Sequence, residues 1–293
     1  METLFLSPLA IVIIASIVGF FMAYGIGAND VANAMGTSVG SKAITLKQAI
    51  IIAAIFEFLG AYFGGGEVTS TIRKGIVDPT IYEDANKFII GMLSSLLAAG
   101  TWLIIASRRG WPVSTTHSIV GAIIGFVSIS KGVSYVSWGT VGGIASSWVT
   151  SPVIAGLLAF LIYLSAKKSI LDSANPGGRA VKIIPIYSFY VAFIISLVIA
   201  RKGLKNIGLE LSESDVYMFS SIFGIIAAAI TYTLLRQNFS KIKENGIESA
   251  FAILMVVSAC AMAFAHGSND VANAIGPLAA IVATVNSNGI IDT

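Results

Sequence analysis

Residues 27–36 read GANDVANAMG, and residues 267–276 read GSNDVANAIG. Eight of these ten positions are identical at a constant offset of 240, which indicates an internal duplication. Each copy closes a long apolar run, Leu9–Gly27 in the first and Ala250–Ala265 in the second. An aspartate and two asparagines therefore stand where a helix is expected inside hydrocarbon. Ionisable groups are costly at that depth, so the motif marks a path for a substrate or an ion.

The composition is that of a membrane protein. Of the 293 residues, 56% are hydrophobic and 11% are charged, whereas soluble domains carry about 25% charged residues. We therefore predict an all-α polytopic, multi-pass protein of the cell (plasma) membrane, with the lipid bilayer around it. Its net charge of +3 is modest and its basic residues fall in loops, so no nucleic-acid partner is expected. No cofactor is predicted, and the single cysteine, Cys260, allows no disulfide within the chain.

The order of the apolar runs predicts inverted-topology repeats with broken helices. Residues 88–130 hold a long apolar stretch, a polar interruption and a run, Ser118–Ser130, that is too short to cross a bilayer comfortably. A re-entrant helical hairpin here makes the two motif copies enter from opposite faces, as in many secondary transporters; a single crossing makes them enter from the same face. We favour the hairpin. The predicted divisions are a first repeat over 1–166, connecting spans over 167–248, and the start of a second repeat over 249–293.

The spacing in the first motif copy predicts two helix faces. Asp30, Asn33 and Thr37 share one side of a helix, and Asn29 lies one turn before Asn33. The opposite side carries a small residue at every fourth position, which lets another membrane helix approach closely. A simpler explanation is that aspartate and asparagine only cap a helix that begins here.

The second motif copy keeps the polar set as Asn269, Asp270 and Asn273. Pro277 replaces the threonine of the first copy, so the helix of the second copy is expected to start or break differently.

The segment PVSTTH, which begins at Pro112, is a second candidate site. Proline suits the first turn of a helix, and Ser114, Thr115 and Thr116 then place hydroxyls beside free backbone N–H groups. With the positive end of the helix dipole, these groups predict an anion site. The alternatives are plain capping, and an intramembrane hydrolase that uses Ser114 and His117, for which the duplicated motif has no task.

Electrostatics connects the two motifs. Ionised Asp30 and Asp270 beside a bound anion place like charges together, and each pair at 4 Å costs about 4 kcal/mol at an effective dielectric constant of about 20. The arrangement is tenable only with cations between the charges or with a protonated carboxylate. We prefer Na⁺ to H⁺ as the coupling ion, because asparagine ligates metal ions but does not titrate. The predicted Na⁺ ligands are Asn29, Asp30, Asn33, Asn269, Asp270 and Asn273.

These motifs resemble the inorganic phosphate transporter (PiT) family, and the similarity extends over essentially the whole chain. The stretch GANDVANAMGTSVGSKAIT, its second copy and the PVSTTH segment carry the resemblance. It implies inverted repeats, a homodimer and cotransport of inorganic phosphate with Na⁺ or H⁺. The phosphate-binding residues that it implies are Ser114, Thr115, Thr116, Asp30, Asn33, Asp270 and Asn273.

Transport or gating roles are predicted for Glu57, His117 and Thr37. Glu57 matches an acidic position tied to transport in the family, although a charge paired with a loop arginine or lysine is the alternative. The family also repeats the Ser-Thr-Thr-His hairpin, which an offset of 240 places near position 350, whereas this sequence ends at Thr293. The second repeat is therefore expected to be incomplete here.

The remaining polar residues receive simpler interpretations. His117 could tune the anion site or carry a proton. His266 stands where the first copy has Ile26, and this mismatch argues against an indispensable role. Arg108 and Arg109 are interpreted as interfacial anchors.

The leading hypothesis is thus a Na⁺-coupled phosphate symporter. The alternatives are an H⁺-coupled phosphate or sulfate permease of the same fold, and a passive anion channel.

Overall fold

A computed structural model describes residues 4–203, 211–240 and 246–287. The described chain is helical, with one isolated β-bridge between Val77 and Val136 and no strand. The α-helices are, in chain order, α1 (Pro8–Gly40), α2 (Leu46–Gly64), α3 (Gly66–Ser70), α4 (Ala85–Arg109), α5 (Thr115–Ser130), α6 (Trp138–Ala166), α7 (Pro176–Val198), α8 (Glu213–Gln237), α9 (Glu248–Asp270) and α10 (Ala272–Asn286).

Within the described residues, seven helical segments are long and apolar enough to cross a membrane: α1, α2, α4, α6, α7, α8 and the α9–α10 pair. The predicted all-α, multi-pass membrane protein is thereby confirmed. Helix α5 has 16 residues and is about 24 Å long, which is shorter than the roughly 30 Å of a bilayer core.

Helices α4 and α5 form the predicted hairpin. The side chain of Asp84 caps the start of α4 by accepting a hydrogen bond from the N–H of Asn86. At its other end the chain turns at Gly110, whose φ of 67° is in the left-handed region that glycine adopts without strain. The N–H of Trp111 then donates to the carbonyl of Ala106, which completes a Schellman ending. The helix–turn–helix is confirmed, while its depth in a bilayer stays a prediction.

The two motif copies differ in their helices. The first lies inside α1, which continues without interruption for 33 residues. The second is broken at Val271, between α9 and α10, and Pro277 lies inside α10. The expected break is therefore present only in the second copy, and it comes before the proline. Pro277 has no N–H to offer to the carbonyl of Asn273, so the first turn of α10 loses one helical hydrogen bond.

The chain divides into two spatial units. The hairpin unit consists of Met1–Ala34, Gly65–Ile144 and His266–Thr293, and the bundle unit of Met35–Gly64 and Ala145–Ala265. The boundaries of these spatial units differ from the repeat boundaries predicted after residues 166 and 248. The predicted boundaries concern the order of the repeats along the chain, and they stay a prediction. Of the predicted second repeat, residues 288–293 lie outside the described residues.

Each unit has its own apolar core. In the hairpin unit the fully buried Met22, Phe88, Leu103 and Ile119 belong to one cluster. There α1 lies so close to α4 that a Cβ on Gly100 would come within 2.8 Å of the Phe21 ring. The cluster of the bundle unit consists of Ile170, Ala180, Ile184, Leu235 and Ala250.

Candidate functional site

The first turn of α5 is capped by Ser114. Its hydroxyl oxygen accepts a hydrogen bond from the N–H of His117 at 3.2 Å, and its carbonyl accepts from the hydroxyl of Ser118 at 2.8 Å. Of the explanations offered for this segment, capping describes the contacts of Ser114, whose side chain is exposed. This hydrogen bond joins the Ser114 hydroxyl to the backbone N–H of His117. In a nucleophile–base pair the hydroxyl would instead contact the imidazole ring.

Thr115 and Thr116 join the hairpin to the second motif copy. Both hydroxyls donate to Oδ1 of Asp270, at 3.2 and 3.4 Å. The Nδ2 of Asn273 donates to the same two hydroxyl oxygens, at 3.3 and 3.0 Å, and to Oδ1 of Asp270 at 3.3 Å. The structure therefore brings four of the predicted phosphate-binding residues into one network.

The amide oxygen of Asn273 is notable within this network. The residue is completely buried, and its Oδ1 has no hydrogen-bond partner in the described chain. A buried acceptor without a partner costs about 1–3 kcal/mol, so such groups call for a physical explanation. A hard cation fits, because amide and carboxylate oxygens are the ligands it prefers and Asp270 is adjacent.

His266 brings the two aspartates together. Its Nε2 lies 3.5 Å from Oδ2 of Asp270 and 3.8 Å from Oδ2 of Asp30, and the three side chains are between 9% and 21% exposed. The predicted meeting of Asp30 and Asp270 is thus present in the hairpin unit. Sequence reasoning missed His266, because the mismatch with the first copy gave it little weight. The spacing of four residues from Asp270, which puts both on one helix face, was the signal that could have found it.

Asn29 is the buried amide of the first copy, and it holds the turn of the hairpin. Its Nδ2 donates to the carbonyl of Trp111 at 3.0 Å and to the hydroxyl of Ser107 at 3.3 Å, while its Oδ1 accepts from the N–H of Val113 at 3.3 Å. Both ends of this amide are engaged, so its contacts are those of a positioning residue. The predicted binding of Na⁺ by Asn29 stays a prediction. A cavity of about 270 Å³ lies beside it and is also lined by Asn33.

The other predicted site residues lie in different surroundings. Asn33, Asn269 and His117 are exposed, and the Nδ2 of Asn33 lies 3.5 Å from the carbonyl of Asn29, the limit of a hydrogen bond. Thr37 is exposed and Glu57 is half-buried, and both belong to the bundle unit.

The anchoring role of the arginines at the end of α4 stays a prediction. The guanidinium carbon of Arg109 lies 5.6 Å from the centroid of the Trp111 ring, within the range of a cation–π interaction. Arginine and tryptophan side chains of this kind are typical of the interface between membrane and water.

The sequence pattern of the phosphate transporter family matches residues 26–292 of this chain. A Haemophilus influenzae protein that carries the name phosphate permease is 50% identical over 282 residues, which are 94% of this chain and 67% of that protein. An Arabidopsis thaliana protein named inorganic phosphate transporter 2-1, chloroplastic, is 40% identical over 292 residues, covering 92% of this chain and 50% of its own length.

A solved structure described as the sodium-dependent phosphate transporter has the same fold. It superposes with a TM-score of 0.87 at 38% sequence identity, and the match covers 97% of this chain and 70% of that one. The chain thus spans about two thirds of the length of the bacterial relative and of the solved structure.

Proposed function

This chain belongs to the phosphate transporter family, and on that premise we propose that it carries inorganic phosphate across a membrane together with Na⁺. The relatives are named as transporters and permeases, and the protein is not an enzyme. The observation that carries the Na⁺ proposal is the buried, unpartnered Oδ1 of Asn273, a residue whose Nδ2 donates to the carboxylate of Asp270.

The proposed phosphate ligands are the start of α5 and the hydroxyls of Thr115 and Thr116. The first N–H groups of a helix have no intrahelical partners and carry the positive end of the helix dipole, so they attract an oxyanion. The two hydroxyls converge on one oxygen of Asp270 and could rotate to donate to a phosphate oxygen instead. Ser114 contributes by capping the helix that presents these groups.

The proposed cation ligands are oxygens of Asp270 and Asn273. Phosphate next to an ionised Asp270 is repelled, and at 4 Å each pair of like charges costs about 4 kcal/mol at an effective dielectric constant of about 20. A Na⁺ ion between phosphate and Asp270 attracts both of them and so replaces their repulsion by a net attraction. Bound Na⁺ therefore strengthens the binding of phosphate, and bound phosphate strengthens the binding of Na⁺. This mutual dependence is what couples the movement of phosphate to the Na⁺ gradient.

H⁺ coupling is the second candidate, and the position of His266 favours it. An imidazole within 4 Å of two carboxylates can take up a proton and pair with both of them, which would supply the neutralising charge without a metal ion. The two candidates therefore differ in which group carries the positive charge.

Uptake of labelled phosphate into proteoliposomes separates the candidates. We expect uptake to follow an inward Na⁺ gradient, to stop when K⁺ replaces Na⁺, and to persist in His266→Gln. Uptake that ignores Na⁺, follows a pH gradient and is lost in His266→Gln identifies the H⁺-coupled permease. Competition by sulfate tests whether the transported anion is phosphate or sulfate. Phosphate flux that depends on neither Na⁺ nor H⁺ indicates a channel.

We also infer that the two motif copies belong to inverted repeats. The support is that α1 and α9 each lead into one copy, while six membrane-capable helices and the short α5 lie between the starts of α1 and α9. If α4 and α5 both cross the membrane or both turn back, the number of crossings between those starts is odd, and the two helices begin on opposite sides. The test introduces one cysteine at or just before the start of each helix, Leu6→Cys or Ser249→Cys, in a Cys260→Ser background. An impermeant thiol reagent should label the two from opposite sides of a vesicle, and labelling from the same side refutes the inversion.

The predicted homodimer is part of the same proposal and is supported by the family resemblance alone. The mass of the purified protein in detergent, measured by light scattering with the detergent contribution subtracted, tests it. A single-chain mass at concentrations that support transport would refute it.

A further inference from the structure

The bundle unit contains an apolar groove that the transport site does not use. It has a volume of about 450 Å³, in the range of small-molecule sites. Its walls come from three places in the chain, the segment after α1, the end of α6 and the start of α9. The lining residues are Ser41, Ala43, Tyr163, Ala166, Leu171, Ile247, Glu248, Phe251, Ala252 and Met255.

Three lysines adjoin lining residues of this groove in the sequence. Lys42 stands between the lining residues Ser41 and Ala43, and Lys167 and Lys168 directly follow the lining residue Ala166. All three lysines are exposed, and none of them makes an ion pair with another described residue. The groove therefore combines an apolar floor with a basic rim.

Lys42 occupies a backbone position that normally belongs to glycine. Its φ is 60°, and it is the one non-glycine residue with a positive φ in the described chain. The N–H of Ala43 donates to the carbonyl of Ser38 and that of Lys42 to the carbonyl of Val39, which is a Schellman ending with lysine at the left-handed position. A strained non-glycine residue points to a role that the backbone alone does not explain.

One carboxylate, that of Glu248, also lines the groove. It lies in the first turn of α9, where the positive end of the helix dipole compensates its charge. Its Oε2 lies close to the position that a Cβ on Gly246 would take, so the side chain folds back towards the chain before α9. Its charge therefore reduces, but does not cancel, the basic character of the rim.

Among the described residues, basic side chains outnumber acidic ones at the end of the bundle unit where the groove lies. By the positive-inside rule, such an excess predicts the cytoplasmic side of a membrane, whose lipid surface is anionic. At the opposite end the described Arg201 pairs with Glu213. The described basic residues at the groove end are Lys42, Lys47, Lys167, Lys168, Arg179, Lys182 and Arg236, and the acidic ones are Asp172 and Glu248.

We propose that this groove binds one anionic phospholipid of the cytoplasmic leaflet. An acyl chain fills the apolar floor along Phe251, Ala252 and Met255, and the headgroup phosphate lies among Lys42, Lys167 and Lys168. A positive charge beside the headgroup would account for a lysine at position 42, where glycine would be less strained.

The test is native mass spectrometry of the purified full chain in detergent, titrated with phosphatidylglycerol or with phosphatidylcholine of the same acyl chains. We expect one phosphatidylglycerol to bind with at least about fivefold higher affinity than phosphatidylcholine, the effect of roughly one lysine near an anionic surface. Excess inorganic phosphate should not displace it. Equal affinity for the two lipids, or displacement by inorganic phosphate, overturns the proposal.

Variants separate the headgroup from the acyl chain. Lys42→Gly should weaken phosphatidylglycerol about fivefold and leave phosphatidylcholine unchanged, while thermal stability stays equal or rises because glycine suits the left-handed position. Ala252→Phe, which fills the groove, should weaken both lipids. The matched control is Lys182→Gln, an exposed lysine at the same end that does not adjoin a lining residue. Unchanged lipid binding in Lys42→Gly, or an equal loss in Lys182→Gln, overturns the proposal.

Discussion

The two copies of the duplicated motif share eight of ten residues, yet each copy binds the same hairpin through an asparagine at a different position of the motif. In the first copy the buried amide is Asn29, which binds the turn between α4 and α5. In the second copy it is Asn273, which binds the start of α5. Their counterparts in the other copy, Asn269 and Asn33, are exposed. The motif thus supplies two amides, and the neighbouring structure decides which one is buried.

The comparison extends to the aspartates and the glycines of the motif. Asp270 receives two hydroxyl hydrogen bonds, whereas Asp30 receives none from the described chain and lies 3.8 Å from His266. Gly276 is packed against Ile72 and the carbonyl of Thr69, whereas a Cβ on Gly36 would meet nothing within 4 Å. Equivalent residues therefore carry unequal shares of binding and stability, which the following variants test.

The largest effect is expected at the aspartates. Asp270→Asn should reduce Na⁺-driven phosphate uptake by about a hundredfold or more, because it removes the negative charge of a proposed cation ligand, and a pair of opposite charges 4 Å apart is worth about 4 kcal/mol at an effective dielectric constant of about 20. Asp30→Asn should reduce it by about tenfold, since its contact is one longer interaction with His266. Uptake into proteoliposomes measures both, with size-exclusion profiles as the control for folding. Equal losses would remove the asymmetry between the copies.

The next effect separates the two buried amides. Asn273→Ala should raise the Na⁺ concentration for half-maximal uptake by about tenfold, because it removes a proposed cation ligand worth about 1–2 kcal/mol. Asn29→Ala should leave that concentration unchanged and lower the free energy of unfolding by about 1–3 kcal/mol, because it frees groups of the hairpin turn. Na⁺ titrations of uptake and thermal unfolding in detergent provide the two readouts. A shifted Na⁺ dependence in Asn29→Ala would make Asn29 a ligand as well.

The glycine pair tests packing without touching a polar group. Gly276→Ala should destabilise the protein by about 1–3 kcal/mol, because the new Cβ would come within 2.7 Å of the buried Ile72. Gly36→Ala should be neutral or stabilising by up to about 1 kcal/mol, because alanine is the better helix former and the space is open. Thermal unfolding of both variants decides the point, and a more stable Gly276→Ala would contradict it.

The smallest effect is expected at Ser114. Ser114→Ala should cost about 1 kcal/mol of stability through the lost cap and change the KM for phosphate by less than about threefold. Thr116→Val, two residues further along the chain, should instead raise that KM by about tenfold through the lost donor. Uptake at several phosphate concentrations compares them. A change of more than about threefold in the KM of Ser114→Ala would show that the Ser114 hydroxyl binds phosphate.

Much of the architecture followed from local patterns. The apolar runs predicted the spanning helices, and the short run after the PVSTTH segment predicted the hairpin, which spans 85–130. The repeated motif predicted that Asp30 and Asp270 meet, and the hydroxyl run predicted Thr115 and Thr116 beside them. Each of these inferences rests on hydrophobic periodicity or on residues adjacent in sequence, which the chain carries in every conformation.

His266 and the break at Val271 could not be predicted in the same way. Comparing the copies discounted His266 because the first copy has Ile26, although what matters is the distance from its ring to Asp30 on a different helix. The break was expected from Pro277, but α9 ends at Asp270, four residues after His266 and before the proline is reached. Long-range packing decided both outcomes.

The sequence by itself determined that this is a helical membrane protein of the phosphate transporter family with a duplicated acidic-amide motif, because composition, periodicity and repetition are properties of the chain. Only the tertiary structure decided which amide of each copy is buried, which hydroxyls meet Asp270 and that His266 lies between two carboxylates. Two nearly identical segments differ in these respects because each meets a different part of one hairpin, and burial and hydrogen bonding depend on the neighbours that a side chain meets.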